Sequence, residues 1–211
     1  MPKIVDHNQR RKDIAAAACR AIACSGVERV TLTEIAEAAG YTTGMVTHYF
    51  SKKEDILRAA LNVMLERADK RLDALMEDDT VDVIDVYLDV LPIDAARRRE
   101  AAVWVSFWGL VVSDKAFARL NQAVHKEWMA IIERIVRARW PGADDWPADV
   151  FDSVRLSLLV LMNGLTAGAI TSPRDYPASA QRDAVMGQFA MLDAKIMALS
   201  RQKVLEKRSA A

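Results

Sequence analysis

Polar side chains suited to contacting DNA lie close together in the stretch "AAGYTTGMVTHYFSKK", residues 38–53. Threonine hydroxyls and a histidine imidazole have the length to reach base edges or phosphate oxygens, and a methionine can contact thymine methyl groups. A glycine lets a second backbone come close, while a tyrosine and a lysine at the end of the stretch suit phosphates. The residues with these properties are Thr43, Gly44, Met45, Thr47, His48, Tyr49 and Lys53.

Short helical patterns surround this stretch. Thr31 and Glu34 have the capping-box spacing that begins a second helix, and Gly40 is expected to end it. A third short helix then runs to about Phe50, and Ser51 is expected to cap a long fourth helix. Two short helices joined by a tight turn indicate a helix-turn-helix whose second helix enters a major groove. A plain helical hairpin also uses glycine at bends and threonine at caps, so the pattern alone leaves both interpretations open.

Composition indicates a soluble globular protein. The chain has 211 residues, of which 52% are hydrophobic, so it can bury a large core. Basic and acidic residues number 29 each, so the average charge neither favours nor excludes a nucleic-acid partner. Residues 1–12 and 201–208 each carry a net charge of +3, and each could be either an electrostatic arm or a solvated tail.

The start of the chain lacks the apolar region of a signal peptide, and the two longest apolar stretches are too short or too interrupted to span a membrane. We therefore expect a cytoplasmic protein without a membrane partner.

Helical periodicity extends over almost the whole chain, and no segment alternates apolar and polar residues as a strand would. The sequence therefore predicts an all-α fold of about nine helices. The first helix is expected at about residues 8–24, and the fourth carries a long apolar stripe that could link two parts of the molecule. Five more helices are expected at about residues 80–91, 94–112, 114–139, 148–171 and 177–206, separated by prolines and a glycine.

The segment "VTLTEIAEAAGYTTGMVTHYFSKKEDIL" resembles the signature of the tetracycline-repressor (TetR) family of transcriptional regulators, and the likeness covers about residues 9–60. The resemblance implies a homodimer with an N-terminal helix-turn-helix DNA-binding domain, here residues 1–53, and a larger helical effector-binding and dimerisation domain, here residues 54–211. By matching positions it adds Leu32 and the threonines to the DNA-facing region, although Leu32 and Thr33 depart from the polar or basic residues common there. The added threonines are Thr31, Thr33 and Thr42.

Aromatic residues cluster in "RRREAAVWVSFWGLVVSDKAFARLNQAVHKEW", which resembles the choline-responsive BetI-like branch of that family. Ordinary core packing is one interpretation of these rings. Tryptophan is seldom fully buried without a partner for its N–H, however, and a cavity walled by such rings could hold a planar or a cationic effector. The predicted effector-binding residues are Trp104, Phe107, Trp108, Asn121, His125, Trp128 and Asn163.

The eighth and ninth helices carry a pattern expected of a subunit interface. Apolar residues surround the eighth helix, so both of its sides should be covered, one by the core and one by a second subunit. Two glycines four residues apart would allow close helix approach, and the ninth helix has the apolar spacing of packed helix pairs. The predicted dimer-interface residues are Leu156, Val160, Gly164, Gly168, Val185, Phe189, Leu192 and Ile196.

An enzyme and a structural adaptor are the two other functional classes that an all-helical chain could represent. The three histidines are scattered, and the sequence contains no zinc-protease, nucleophile-elbow or phosphate-loop motif, so we predict no catalytic residue, no bound metal and no cofactor. An all-helical enzyme acting on a small aromatic or cationic molecule is the alternative, and a structural helical adaptor is a third interpretation. The main prediction is a ligand-responsive repressor that binds a palindromic DNA operator as a homodimer and is released by a small molecule.

Overall fold

The computed structural model describes residues 6–209, with side chains up to Arg201 apart from Ser113. This part of the chain contains nine α-helices and no strand, which confirms the predicted all-α fold. A single 3₁₀ turn, Ala143–Asp145, lies between the seventh and eighth helices. The helices are α1 (His7–Ser25), α2 (Leu32–Ala39), α3 (Thr43–Tyr49), α4 (Lys53–Met76), α5 (Val83–Asp89), α6 (Ala95–Ser113), α7 (Lys115–Arg139), α8 (Ala148–Thr171) and α9 (Ala178–Ser209).

Local hydrogen bonds define the ends of the first three helices. The Asp6 carboxylate accepts bonds from two backbone N–H groups at the start of α1. The predicted capping box begins α2, and Gly40 ends it with a left-handed φ of 70°, a conformation that favours glycine. The core between these helices and α4 is apolar, and its most buried members include Ile14, Ile22, Ile35, Val46 and Ile56.

The start of α4 corrects one prediction. Lys52, and not Ser51, occupies the cap position, and no side chain there bonds to the free N–H groups. Glu54 and Asp55 instead place negative charge in the first turn, which the helix dipole favours. The helix then extends from the first core into a second one, where Leu72 is fully buried.

The second core is organised around stacked aromatic rings. Phe189 of α9 stacks on Trp140 with ring centroids 5.8 Å apart and meets Tyr87 of α5 edge-on at 5.4 Å. The Tyr87 hydroxyl donates to the carbonyl of Leu158 at 2.7 Å, and the Trp140 N–H donates to Asp193 at 2.8 Å. Burial raises the pKa of Tyr87, so its hydroxyl stays protonated and keeps this bond. These contacts join α5, α7, α8 and α9 into one unit.

This packing corrects part of the predicted dimer interface. Val185, Phe189 and Leu192 are buried within the protomer, so their side chains face its own core and cannot meet a second subunit. Gly168 is also required within the protomer, because a Cβ added there would lie 2.6 Å from the ring of Tyr176 and would clash with it. The apolar spacing that suggested an intersubunit seam is therefore the spacing of an internal helix contact.

Other residues of the predicted dimer interface are exposed to solvent. Leu156 and Val160 of α8 are 53% and 60% exposed, and Gly164 lies in line with them one turn on. Ile196 is half-buried at the edge of the second core. Three methionines extend the exposed apolar surface along α9: Met186, Met191 and Met197. We call these exposed residues of α8 and α9 the outer apolar face.

Among the described helices, α8 is long and apolar enough to cross a membrane, with a mean hydropathy of 1.5 over its best window. The expectation that its apolar stretch is too interrupted for a span is therefore wrong on length and composition. One such helix is weak evidence for a membrane, because core helices pass the same test. In this fold α8 packs against α6 and α7 and buries Leu158, Leu159 and Met162.

Candidate DNA-binding surface and effector cavity

The short helix α3 presents most of the predicted DNA contacts to solvent. Thr43, Thr47 and His48 are exposed, and Met45 is 41% exposed although it is apolar. Thr42 begins the helix, and its hydroxyl accepts a bond from the backbone N–H of Met45 at 3.2 Å. Val46 is the buried residue of α3 and Tyr49 packs partly buried against the same core, while the remaining residues of the helix are exposed.

Gly44 has no packing reason to be glycine. Its φ is not in the left-handed region, and an added Cβ would meet no atom of the chain closer than the Thr42 hydroxyl at 3.9 Å. Alanine would therefore fit at this position and would favour the helix. A glycine that the protein itself does not require is consistent with close approach by another molecule.

Helix α1 braces the C-terminal end of α3. The imidazole Nδ1 of His7 lies 3.1 Å from the hydroxyl of Tyr49, and Arg11 donates to the Tyr49 carbonyl. The Arg11 guanidinium also lies over the ring of Phe50, with its central carbon 4.2 Å from the ring centroid. Arg10 donates to the side-chain hydroxyl of Tyr41, which lies in the turn between α2 and α3. Part of the basic N-terminal segment therefore fixes the DNA-reading helices, a role that the sequence interpretation missed, while Lys3 lies outside the described residues.

The start of α2 is held by a hydrogen-bond cluster. The Glu34 carboxylate accepts bonds from the Thr31 N–H at 2.7 Å, the Thr31 hydroxyl at 2.9 Å and the Ser25 hydroxyl at 2.9 Å. These bonds lower the pKa of Glu34, with the Thr31 N–H making the largest contribution. Thr33 lies exposed beside this cluster. The Lys53 ammonium donates to the carbonyl of Glu28 at 3.1 Å and has two further N–H groups to offer a phosphate.

A cavity of about 140 Å³ lies among α4, α5, α6, α7 and α8. Trp104 and Trp128 meet edge-to-face in its wall, with centroids 6.1 Å apart. The predicted effector-binding residues that line it are Trp104, Trp108, Asn121, His125, Trp128 and Asn163. The sequence interpretation therefore identified residues that the fold brings together from three different helices.

Phe107 is the exception among the predicted effector-binding residues. Its ring is buried on the neighbouring side of α6, where it packs against Phe117 in the core shared with α1 and α4. It lines only a small neighbouring void of about 10 Å³. At 100° per residue, Phe107 lies about 60° around the helix axis from Trp104, and its ring enters this core and not the cavity.

The opposite end of the cavity is charged, which the sequence interpretation did not predict. Arg71 donates its Nε–H to Asp89 at 3.0 Å and its terminal N–H groups to Glu100 at 3.1 and 3.4 Å. Arg97 pairs with the Asp89 carboxylate, donates to its backbone carbonyl at 2.7 Å and also bonds to Asp94. Burial and the nearby Arg71 charge lower the pKa of Arg97, whereas Glu100 raises it, and arginine remains charged in proteins. We call Arg71, Asp89, Arg97 and Glu100 the ion-pair quartet.

One sequence signal could have found this quartet. Arg71 follows Met64 and Ala68 at helical spacing, so it lies on the buried side of α4 where a charge requires a partner. Asp89 likewise follows the buried Val86 at helical spacing on α5 and is only 7% exposed. A charged residue on an apolar stripe therefore indicated a buried polar site.

Helix α6 connects the cavity with the DNA-reading helices. Trp104 and Trp108 face the cavity, whereas Val103 and Phe107 pack into the core shared with α1 and α4. Helix α1 contacts α6 directly and also holds Tyr49 and Phe50 at the end of α3. A displacement of α6 would therefore reach α3 through one intervening helix.

Helix α8 also has two functional sides. Leu159, Met162, Asn163 and Thr166 line the cavity, whereas Leu156, Val160 and Gly164 belong to the outer apolar face. The same helix therefore separates the cavity from the surface predicted to meet a second subunit.

Comparison with known proteins agrees with both parts of the molecule. Residues 14–60 match the family model for bacterial regulatory proteins of the tetR family, and residues 83–194 match the model for the C-terminal region of BetI-type transcriptional repressors. The second match alone covers more than half of the chain.

Individual relatives are more distant. The chain is 34% identical over 110 residues to the HTH-type transcriptional regulator PksA of Bacillus subtilis, a match that spans 51% of this chain and 54% of PksA. It is 25% identical over 143 residues to the regulator BetI of Vibrio vulnificus, covering 65% of this chain and 72% of BetI. A solved structure of a Saccharomonospora viridis protein, described as a transcriptional regulator in complex with choline, superposes with a TM-score of 0.70 at 22% identity, over 85% of this chain and 95% of that one.

These matches decide between the functional classes. The family and the relatives are DNA-binding transcriptional regulators and not enzymes, so the enzyme alternative is set aside. The helix-turn-helix residues, the match to the BetI-type C-terminal model and the shared fold lead to one assignment. The chain belongs to the TetR family of bacterial transcriptional regulators, with a C-terminal region of the BetI type.

Proposed function

We propose that this protein is a repressor that binds a palindromic operator as a homodimer and is released from it by a small molecule. The observation that supports this most directly is the placement of α6, which lines the cavity with one side and packs against the DNA-reading module with the other. A ligand that moves α6 would change the position of α1, and α1 holds the end of α3.

The DNA contacts divide into two kinds. Thr43, Thr47 and His48 lie exposed on α3 and have side chains that discriminate base edges. Tyr49 and Lys53 are held by α1 and by the turn before α2, so they suit phosphate contacts that fix the register. We assign residues 1–53 to operator binding and residues 54–211 to effector binding and dimerisation.

The homodimer follows from the outer apolar face. Leu156, Val160 and the three exposed methionines of α9 would be costly to leave in water, and a two-fold axis lets one such surface cover its own copy. Two recognition helices related by that axis read two half-sites of a palindrome. A regulator of this kind acts where the chromosome is, so we assign it to the cytoplasm.

The effector is a planar or a cationic small molecule held by the tryptophans. A cation over a ring gains about 0.5 to 2 kcal/mol, and a flat ring packs on the same surfaces. A protein of similar fold has been solved in complex with choline, which supports the binding of a small molecule by this fold. To release an operator about 100-fold, the ligand must favour the released state by about 2.7 kcal/mol. Two ring contacts near the upper end of that range supply that amount.

The test begins with DNA. Selection from a random duplex library should recover one palindromic sequence, and sedimentation at micromolar protein should give a dimer on it. Lys53→Ala should weaken binding to every sequence and lower the dependence of affinity on salt, because one phosphate contact is lost. His48→Ala should instead change the preferred base. A monomer, or a Lys53→Ala protein with unchanged affinity and salt slope, would contradict the proposal.

The effector half is tested separately. A thermal-shift screen of metabolites would find stabilising ligands, and each would then be assayed for operator release. Trp108→Phe should fold and bind DNA normally but respond more weakly, because the smaller ring covers less of the ligand. Trp146→Phe is the matched control, since Trp146 packs against Trp140 and Phe151 away from the cavity. Equal responses in Trp104, Trp108 and Trp128 variants and in the control would rule out the aromatic cavity as the effector site.

A further inference from the structure

The first residue of α1 is a histidine that reaches one of the proposed phosphate contacts, and this inference rests on the proposed operator binding. His7 is exposed, and its Nδ1 lies 3.1 Å from the hydroxyl of Tyr49 at the end of α3. We propose that His7 is a positioning residue for DNA binding. Its imidazolium donates to the Tyr49 oxygen, and the Tyr49 hydroxyl donates its own proton to a DNA phosphate, so operator affinity rises when His7 takes up a proton from solvent.

The direction of the hydrogen bond between these two side chains decides what Tyr49 offers to DNA. A tyrosine hydroxyl has a single proton, and a neutral imidazole nitrogen either accepts a bond from it or donates a bond to its oxygen. Where His7 accepts, the Tyr49 proton is used within the protein and is not available to a phosphate. A protonated imidazole carries an N–H on both nitrogens, so His7 then donates, and the Tyr49 proton turns towards a phosphate oxygen.

The surroundings hold the Tyr49 ring beside His7. The two ring centroids lie 5.7 Å apart, and the ring of His48 meets Tyr49 edge-on from the other side of the sequence at 5.3 Å. Arg11 of α1 donates to the Tyr49 carbonyl, and the Tyr49 ring packs partly buried against the first core. The hydroxyl is therefore positioned by its neighbours before DNA arrives, and His7 is the side chain that bonds to it.

The charges near His7 do not favour a proton on it in the absence of DNA. The charged and titratable groups around the pair are Asp6, Arg10 and Arg11 beside it on the α1 side and His48 on α3. The Asp6 carboxylate is used as the helix cap, and Glu66 of α4 pairs with Lys12, more than one turn further along α1. Two arginines and the positive end of the α1 dipole oppose a positive charge on His7, whereas a phosphate bound at Tyr49 favours one. DNA binding should therefore be accompanied by proton uptake, and affinity should rise as the pH falls.

The pH dependence of DNA binding tests this inference. Histidine is the side chain that ordinarily changes charge between pH 5 and 8. Fluorescence anisotropy with a labelled duplex carrying the selected operator, at constant ionic strength, should show binding about tenfold tighter at pH 6 than at pH 8. His7→Gln keeps hydrogen-bonding groups but cannot be protonated, so it should lose most of this difference and leave only the share of His48. Asn8→Ala, at the next exposed position of α1, is the matched control and should retain the full difference.

Tyr49→Phe tests whether His7 acts through the hydroxyl. This change keeps the ring and removes the proton donor, so binding should weaken severalfold and most of the pH difference should disappear. Tyr49→Phe combined with His7→Gln should cost little more than the larger single change, because both remove the same hydrogen bond. A pH difference that persists in Tyr49→Phe but not in His7→Gln would make His7 a direct DNA contact and overturn the positioning role. A full pH difference in His7→Gln would overturn the proposal entirely.

The same measurements separate this inference from the proposed function. A duplex of unrelated sequence should show the same dependence on His7, because phosphate contacts carry no sequence information. A palindromic operator that is bound without a His7-dependent pH effect would refute only this inference. A His7-dependent effect on every duplex, with no preferred operator recovered, would refute only the proposed repressor. Melting temperatures should be unchanged in His7→Gln, since His7 is exposed.

Discussion

Two regions of the molecule use their side chains in different ways: the DNA-contact region, residues 31–53, and the effector region, which is the cavity among α4, α5, α6, α7 and α8. In the DNA-contact region, the proposed contacts lie within residues 31–53, most are exposed, and the hydroxyls of Thr31 and Thr42 also cap the helices that present them. In the effector region, the cavity wall comes from five helices and from positions between Met64 and Thr166. The first site depends on local structure, and the second exists only after the chain has packed.

In the DNA-contact region, a substitution can change function without changing stability, whereas in the effector region the two effects are harder to separate. Substitution of an exposed residue on α3 should change DNA affinity with little effect on folding, because Val46 and Tyr49 are the residues that hold that helix against the core. Substitution in the effector region acts on a site whose walls are also structural supports, such as Trp104 packed on Trp128. Four predictions test this contrast, from the largest effect to the smallest.

The largest effect is expected at Phe189. Its ring is 1% exposed, stacks on Trp140 and contacts Tyr87 edge-on, so Phe189→Ala removes two aromatic contacts at once and leaves a cavity. The free energy of unfolding should fall by about 3 to 5 kcal/mol, measured by chemical denaturation. Met191→Ala on the same helix, 64% exposed, is the control and should change stability by less than about 0.5 kcal/mol in the monomer. A folded Phe189→Ala protein that merely dissociates would restore Phe189 to the subunit interface.

The second prediction concerns the outer apolar face. Val160→Glu places a charge at a position that is 60% exposed in the protomer and buried in the proposed dimer. We expect a folded monomer, because the charge stays in water until a second subunit approaches. Operator affinity should fall by about 100-fold or more, since each half-site is then bound alone. Sedimentation and circular dichroism would measure assembly and folding, and a stable dimer of this variant would place the interface elsewhere.

The fold was largely predictable because helix signals are local. The capping box at Thr31, the stop at Gly40 and the apolar stripe of α4 are all set by residues within one or two turns. The error at Ser51 is of one residue, and the next residue takes the cap position without a side-chain bond. Helix ends frequently shift by this amount, because several backbone groups there have alternative partners.

Tertiary partners explain what the sequence did not predict. An apolar stripe indicates that a helix is covered but not what covers it, so Phe189 on the inside of α9 could not be distinguished from Met191 on the outside. The ion-pair quartet was missed for a similar reason. Charged residues on helices usually lie in water, and only the packing of α4, α5 and α6 brings Arg71 to Asp89 and Glu100.

The third prediction is at Gly44, where stability and function should change in opposite directions. Gly44→Ala meets no atom of the protein closer than 3.9 Å, and alanine favours a helix by roughly 0.5 to 1 kcal/mol over glycine. The melting temperature should rise slightly, while operator affinity should fall about tenfold because the methyl group holds the DNA backbone away. Gly187→Ala on α9, also with open space around it, is the control and should leave operator affinity unchanged. Unchanged DNA binding in Gly44→Ala would remove Gly44 from the contact surface.

The smallest effect is expected at Glu34 and depends on pH. Bonds from the Thr31 N–H, the Thr31 hydroxyl and the Ser25 hydroxyl hold the pKa of this carboxyl below its usual value in the folded protein. A glutamate in an unfolded chain has a pKa of about 4.3, so the stabilisation is fully present above that pH and is lost as the pH falls through the lower folded value. Glu34→Gln keeps the side-chain shape and removes this titration. Its melting temperature should therefore lie slightly below that of the unaltered protein at pH 7, and the difference should shrink as the pH is lowered below about 4. Glu37→Gln, exposed on the same helix, controls for the loss of one charge near the DNA surface. A melting-temperature difference that stays constant from pH 7 to pH 3 would show that the carboxylate does not stabilise the start of α2, and the first DNA-reading helix would then depend on its packing against α1.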